Sequence, residues 1–424
     1  MSESLQDRLR RLGVVKGARH LKPVAPRPPA PAPPPDEPDE PVPLERLLAG
    51  GQVEATAVGA CYVLDKVYPL AYRHGREPLA ALLAHAPAAA VPYGQDARLA
   101  ALDFRDLVFL DTETTGLAGA GTLAFMVGAA FFERTPAGEA FIVRQYFLRD
   151  HGDEAAMLRL LADLLAQKAG LVTFNGRAFD LPLLDNRYLL NRMLGPVWDL
   201  PHIDLLHPAR RLWRARLGSC ALGALEQNLL EVRRTQEDVP GWLIPSLYQD
   251  YLRSGDAREL ARVFYHNRID MLSMVTLATR VWRFFEGGDA EAHPADWYSL
   301  GKWQTDLNTP EAAEISLRRA LAGEDLPLGL YHETLQRLGL LLKRSNRRVE
   351  ALPLWQQWAA TSYDSVEPHV ELAKYYEWHA QDVETAILWT RRALSLVESW
   401  SPSQARLAQD ELSHRLGRLL GKRG

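Results

Sequence analysis

The stretch from Leu107 to Leu117, Leu-Val-Phe-Leu-Asp-Thr-Glu-Thr-Thr-Gly-Leu, constrains this chain more than any other. Its four leading apolar residues, three of them branched, read as a buried strand. A strand buried on both faces is a poor place for carboxylates, yet this one ends in Asp111 and Glu113. Side chains two apart in a strand share a face, so the two carboxylates point the same way. They repel unless something cationic lies between them. Hard divalent cations prefer oxygen ligands. Taken alone, the pair is equally well explained by a solvated strand end.

The length of 424 residues leaves room for two or three domains. With 47% hydrophobic and 24% charged residues, the composition is that of a soluble globular protein. No apolar run is long enough to span a bilayer, and Met1 to Arg11 is polar with no secretory h-region. The two cysteines, Cys61 and Cys220, form no metal-ligand pattern and suggest no disulfide framework, so a cytoplasmic location is expected. The formal net charge of −4 gives no global nucleic-acid signature. It does not exclude a metal-dependent nuclease, whose site is locally acidic.

Residues 1–43 end in a run of proline interspersed with Ala, Asp and Glu, expected to be a disordered or polyproline tail. Residues 44–285 read as the main domain, with 44–100 as a small N-terminal subdomain free of recognisable chemistry. Within it, 60–64 and 67–70 look like short strands. Leu123 to Phe132 and Phe141 to Phe147 are further strand-like runs. Arg144, Gln145 and Arg149 place polar groups in and after the second of these, as in a meander with one exposed face. A helical leucine pattern follows over 154–167, then a strand at 171–174 ending in Asn175-Gly176. Strands followed by helices, with polar residues at strand ends, indicate an α/β or α+β sheet with a site along one edge. The segment 208–216 is basic with one tryptophan, a pattern that suits a phosphate backbone or a solvated helix face. A long helix is expected over 260–285.

Residues 286–294 are polar and Gly-containing, which suggests a linker. Beyond it, over 295–424, small and large residues recur: Trp297, Leu300, Gly301, Ala313 and Leu317, then Leu338, Gly339, Ala351 and Trp355, then Leu372, Ala373, Ala386 and Trp389. This spacing is that of tetratricopeptide-like helix pairs, which commonly present a concave binding surface.

Asp111, Glu113, Asp180 and Asp270 form the informative set. They come from three separated segments, each in or beside apolar sequence, and such a set suits a pair of metal ions acting on a phosphodiester. His266 precedes Asp270 by four residues and shares its helix face. Tyr265 is five before it and rotated by about 140°. His266 is therefore assigned the proton-accepting role and Tyr265 a packing role.

The run 110–117 resembles the first motif of the DEDD 3′→5′ exonuclease superfamily. Asn175 with Phe179-Asp180 resembles the second, and His266 to Asp270 the third. Within that superfamily the chain most resembles the bacterial YprB-like ribonuclease-H-like exonuclease proteins, through Gly121 to Phe125, Ser219 to Leu222, Asp238-Val239-Pro240-Gly241 and His266-Asn267. The resemblance implies an α/β fold with a ribonuclease-H-like mixed sheet flanked by helices, followed by the all-α repeats. It also implies two Mg²⁺ or Mn²⁺ ions held by Asp111, Glu113, Asp180 and Asp270. Thr114, Asn175 and Phe179 would face the substrate, the 3′ end of DNA or RNA, and the repeats would offer a surface to a protein partner. One departure stands out. The superfamily places a histidine five residues before the last aspartate or a tyrosine four before it, and Tyr265 and His266 reverse those identities. A scaffold protein with a vestigial nuclease site, and an endonuclease on the same fold, are the alternatives. Retention of all four acidic residues favours the enzyme.

Overall fold

The carboxylate-ended strand lies inside a seven-stranded sheet, flanked on both sides. The structure is a computed structural model that describes residues 40–423, apart from 94, 117–120, 137, 196–199, 236 and 290–291. The Pro-rich tail to residue 39 and the first part of the Gly-rich turn lie outside the described residues. The strands are β1 (Gln52–Thr56), β2 (Gly59–Pro69), β3 (Leu107–Thr114), β4 (Ala124–Thr135), β5 (Gly138–Phe147), β6 (Gly170–Thr173) and β7 (His202–Asp204). Their order is β1-β2-β5-β4-β3-β6-β7. Pairing is antiparallel from β1 through to β3 and parallel from β3 to β6 and β7. The fold is thus α/β with a mixed sheet. The parallel steps are bridged by helices α1 (Glu154–Leu165) and α2 (Asp180–Leu190), followed by α3 (Leu206–Leu217), α4 (Ile244–Ser254) and α5 (Leu260–Phe285).

The two faces of β3 serve two cores. Leu107 and Phe109 pack in one core with Met271, Met274 and Val275 of α5. Val108 and Leu110 pack in the other, with Leu158 and Leu161 of α1 and Leu184 of α2. Both faces are buried, which is why the strand reads as a continuous apolar run rather than an alternating one.

Residues 44–100 do not form a separate subdomain. The two expected short strands are one continuous β2, which pairs with β5 and extends the main sheet. The exposed face expected on β5 is also absent at Gln145, which is 1% exposed and sits under α5. Its amide donates to the Phe264 carbonyl at 2.9 Å and to Asn267 Oδ1 at 3.0 Å. A polar residue inside an apolar strand reads as surface in sequence, whereas here it satisfies buried polar groups.

After α5 come α6 (Pro294–Asp306), α7 (Pro310–Ala322), α8 (Leu328–Arg344), α9 (Arg348–Thr361), α10 (Glu367–Trp378), α11 (Val383–Glu398) and α12 (Pro402–Arg423). The small residues of the sequence repeat mark close helix approaches. A Cβ at Gly301 would lie 2.8 Å from Leu317 Cγ, and one at Gly339 would lie 2.5 Å from Trp355 Nε1. No helix among the described residues is long and apolar enough to cross a membrane.

The segment expected to be a linker is tied to both sides. Asp289 pairs with Arg280 at 2.8 Å. Gly288, at φ +109°, lies where a Cβ would overlap the Trp297 ring. One apolar core continues from the sheet through Trp282, Phe284 and Phe285 at the end of α5 to Trp297, Leu300 and Trp303 of α6 and on to Leu338. Arg216 of α3 holds Asp296 of α6 at 2.8 Å, with Asp296 2% exposed. From Val42 onward the chain forms a single compact unit.

A chain ending at Asp289 would therefore uncover core rather than free a domain. Each large side chain losing its partners costs about 1.5–3 kcal/mol, and several are lost at once against a typical total of about 5–15 kcal/mol. Thermal unfolding followed by circular dichroism should show loss of the cooperative transition. A sharp transition at the full-length temperature would show that the helical region is dispensable for folding.

Candidate metal centre and active site

The site forms where the end of β3, the start of α2 and the middle of α5 meet. Asp111 and Glu113 share the parity of Leu107 and Phe109, the residues that pack with α5. Asp111 lies opposite Gly128 of β4 in the strand register, and a register shift follows Glu113. Gly128 is required by packing: a Cβ there would come 2.3 Å from Asn267 Oδ1. The space it leaves lets Asn267 of α5, itself fully buried, donate to Asp111 Oδ2 at 3.0 Å. Gln145 fixes the other end of the same amide. A chain of three polar side chains thus orients the first carboxylate.

Asp180 opens α2 and approaches from the opposite side. Thr112, which alternates with Asp111 and Glu113, donates its hydroxyl to Asp180 Oδ1 at 2.5 Å. The hydrophobic residues after Asp180, Leu181 and Leu184, dock α2 beneath the strand. Asp270 enters from α5, one turn after His266.

Glu113, His266 and Asp270 each offer a ligand atom within 4.8 Å of one another, close enough to share one ion. Asp111 and Asp180 flank this trio and raise its negative potential. Burial first, then mutual repulsion with Asp180, Asp270 and Glu113, holds the Asp111 carboxyl well above the usual carboxylate range. Glu113 is raised for the same reasons, with Asp270 its strongest charged neighbour. Asp180 is pushed up to about 6, chiefly by burial. Asp270 is also raised by burial, against the pull of His266 and Arg234. Four crowded carboxylates short of positive charge are a donor set of hard oxygens that a divalent cation fits.

Two residues complete the site without having been singled out as site residues in the sequence. His266 Nδ1 lies 2.8 Å from Asp238 Oδ1 and 3.1 Å from Arg234 Nη1. It cannot donate to one and accept from the other at once. The carboxylate is the stronger partner for Nδ1, and Nε2 is turned to Asp270, 3.5 Å from its Oδ2. The second residue is Arg234, whose guanidinium donates to both oxygens of Glu226 at 2.7 Å and also to Asp270. Glu226 is 1% exposed and accepts from the Ser273 hydroxyl at 2.7 Å, and Ser273 in turn contacts His74 at 2.8 Å. The segment supposed to be free of chemistry thus supplies a polar contact behind the site. Asp238 had a signal in its Asp-Val-Pro-Gly loop; Arg234 had none, because it approaches α5 only through the fold.

The remaining candidates sit as follows. Tyr265 turns from the carboxylates. Its hydroxyl accepts the Thr235 N–H at 3.1 Å, and Arg268 lies over its ring. Thr114 donates to the Gly116 carbonyl at 2.7 Å. Asn175 ends β6 at φ +69° with an exposed side chain, and its N–H donates to Asp204 Oδ1 at 2.8 Å. Phe179 is half-buried immediately before Asp180. Beside His266 and Asp270 opens a cleft of about 1090 Å³, bounded by Leu222, Arg233, Arg234, Val239 and Pro240.

A mixed sheet whose central strand delivers paired carboxylates to a cleft, closed by a helix that adds a further aspartate, defines a protein of the ribonuclease H superfamily. The family model described as RNase_H superfamily matches residues 108–282, from β3 through most of α5. The chain is also 31% identical over 357 residues to the "Uncharacterized protein YprB" of Bacillus subtilis (strain 168), across 79% of this chain and 80% of that protein. It belongs to the same family.

The geometry carries two predictions. Arg234→Met strands a buried Glu226, and removing one partner of such a pair costs about 3–5 kcal/mol. Denaturant unfolding should show that loss, and the double change Arg234→Met with Glu226→Gln should recover part of it. A neutral single variant would remove the pair from the site's support. The second prediction concerns pH. A carboxyl whose native pKa lies above its unfolded value binds its proton more tightly when folded, so stability falls as pH rises between the two values. For Asp180 that window runs from 3.8 to about 6, and for Asp111 and Glu113 it extends upward from the same region. In chelator, the difference in Tm between Asp111→Asn and the wild type should therefore grow in the variant's favour from pH 4 to pH 8. Mn²⁺ should raise the wild-type Tm more at pH 8 than at pH 5. A difference independent of pH would count against carboxylate crowding.

Proposed function

We propose that the protein is a metal-dependent 3′→5′ exonuclease of the DEDD type, acting on DNA or RNA and releasing nucleoside monophosphates. The observation that supports this most is the convergence of Asp111, Glu113, Asp180 and Asp270 from three elements, with His266 beside them. Asp111, Glu113, Asp180 and Asp270 would hold two Mg²⁺ or Mn²⁺ ions. Such ions, when bound, supply positive charge to the phosphoryl oxygens and acidify water.

The protein's own groups do the rest. Asp238 orients the His266 ring through Nδ1, which would leave Nε2 to accept a proton from the attacking water. Asn267 and Thr112 hold Asp111 and Asp180 in fixed rotamers, which spares the site reorganisation during the reaction. Arg234 orients Asp270 and brings a fixed positive charge to the cleft wall. Thr114, Asn175 and Phe179 would contact the 3′-terminal nucleotide. The helix pairs after residue 294, read as tetratricopeptide-like, would offer a face to a protein partner.

One observation favours a second reading. The Arg234 guanidinium already pairs with Asp270 where a cation would bind, as in a nucleic-acid-binding protein with an inactive site. Purified protein with Mn²⁺ and 3′- or 5′-labelled oligonucleotides decides between them. The nuclease should give a ladder shortening from the 3′ end, abolished by chelator and by Asp111→Asn. His266→Ala should lower turnover by about 10²–10⁴-fold, whereas Tyr265→Phe should be mild. Cleavage that survives Asp111→Asn or chelator would sink the proposal.

A further inference from the structure

The seam between the sheet-bearing half and the helical region carries a basic face. On α3, His207, Arg210, Arg211 and Arg214 recur at helical spacing and are all exposed, while Leu212 and Trp213 face the core. Across from them, α6 contributes Lys302 and Trp303. Two adjoining cavities lie here and share Arg211 and Trp303. One, of about 320 Å³, is lined by Arg210, Arg214 and Lys302 and has no acidic residue in its wall. The other, of about 530 Å³, reaches Arg177 and His207 and contains Asp96 and Asp204.

Those two carboxylates are already committed. Asp204 is 3% exposed and accepts the backbone N–H groups of Asn175, Arg177 and Leu206. Asp96 is bound by the Arg98 side chain. Arg211 pairs with Asp306, but both are exposed and such a pair is weak. Among the described residues, none of Arg177, Arg210, Arg214 and Lys302 has a carboxylate within ion-pairing distance. What sets these cations apart is that they share one groove with no acidic residue beside Arg210, Arg214 and Lys302, an arrangement that suits an outside anion.

The groove reaches the end of the parallel strands where β6 gives way to α2. Arg177 sits on the turn from β6 to α2, three residues before Asp180, and Asn175 opens that turn. From His207 to Arg214 the helix rises about 10 Å, so the row can meet successive phosphates of one strand. The floor is apolar but closed to bases. Tyr93 is stacked on Phe285 at 4.2 Å, and Trp303 is 6% exposed.

We propose that this seam is the track for the upstream part of a single-stranded nucleic acid whose 3′ end lies at the carboxylates. The proposal rests on the nuclease reading for its direction. Contacts are to phosphates rather than bases, so binding is indifferent to sequence and sensitive to salt. The helical region is then part of the substrate path through Lys302, as well as a support for the core.

The test uses the full chain in chelator, with fluorescence anisotropy on 20-nucleotide single-stranded DNA and RNA. The triple change Arg210→Ala, Arg214→Ala and Lys302→Ala should weaken binding about 10–100-fold at low salt and lower the slope of log K against log salt by about 2–3. Lys302→Glu alone, a single exposed change, should weaken binding in the same direction. With Mn²⁺, hydrolysis of a dinucleotide too short to reach the seam should stay within twofold of wild type. Weakened binding by a wild type that cleaves nothing would keep the track and discard the nuclease. Unchanged affinity and salt slope in both variants, or equal loss of dinucleotide hydrolysis, would overturn the track. So would a wild type that binds neither DNA nor RNA.

Discussion

Asp111, Glu113, Asp180 and Asp270 meet at the end of a hydrophobic strand, where water is scarce and like charges lie close. Burying an ionised carboxylate costs several kcal/mol unless it is paired and hydrogen-bonded. Much of the surrounding structure answers that cost. Asn267 donates to Asp111, Thr112 to Asp180 and Arg234 to Asp270. Two of these donors are themselves supported: Asn267 by Gln145, and Arg234 by Glu226 and, behind it, Ser273 and His74. The carboxyls nevertheless remain above their usual range. Their internal partners leave a deficit of positive charge, which a divalent cation would fill.

Helix α5 carries this arrangement across the molecule. Its first half supplies Asn267, His266 and Asp270, and its middle covers the face of β3 that bears the carboxylates. Its last turns, through Trp282, Phe284 and Phe285, enter the aromatic cluster shared with Trp297 and Trp303. One rigid element therefore joins the chemistry, the sheet and the helical region. The arginine row on α3 faces the same junction, so the seam that holds the two halves together is also the one proposed to carry substrate.

Several parts of this architecture were legible in order along the chain. The strand Leu107–Thr114 and the helix Leu260–Phe285 fall where hydrophobic pattern and periodicity place them. Their signals are long and local, and the carboxylates at their ends interrupt them visibly. Gly301 and Gly339 marked helix contacts because only a missing Cβ permits that approach. The subdomain at 44–100 was misjudged because β2 finds its partner nearly eighty residues later, and nothing in its own sequence specifies a long-range pairing. The supposed linker was misjudged because polar, Gly-containing sequence looks the same whether it is free or folded over a tryptophan.

The sequence by itself determined the elements, the four acidic residues and the helical phase that sets His266 on the face of Asp270, because alternation and helical repeat are properties of neighbours. Only the tertiary structure decided that Asp238 holds His266, that Arg234 stands between Glu226 and Asp270, that Gln145 is buried and that α3 and α6 line one groove. Those relations join residues tens to more than a hundred positions apart, and Arg234 and Gln145 carry side chains that read as ordinary surface in one dimension. Burial and charge compensation are properties of the packed chain, and they appear only when β3, α3, α5 and α6 share a core.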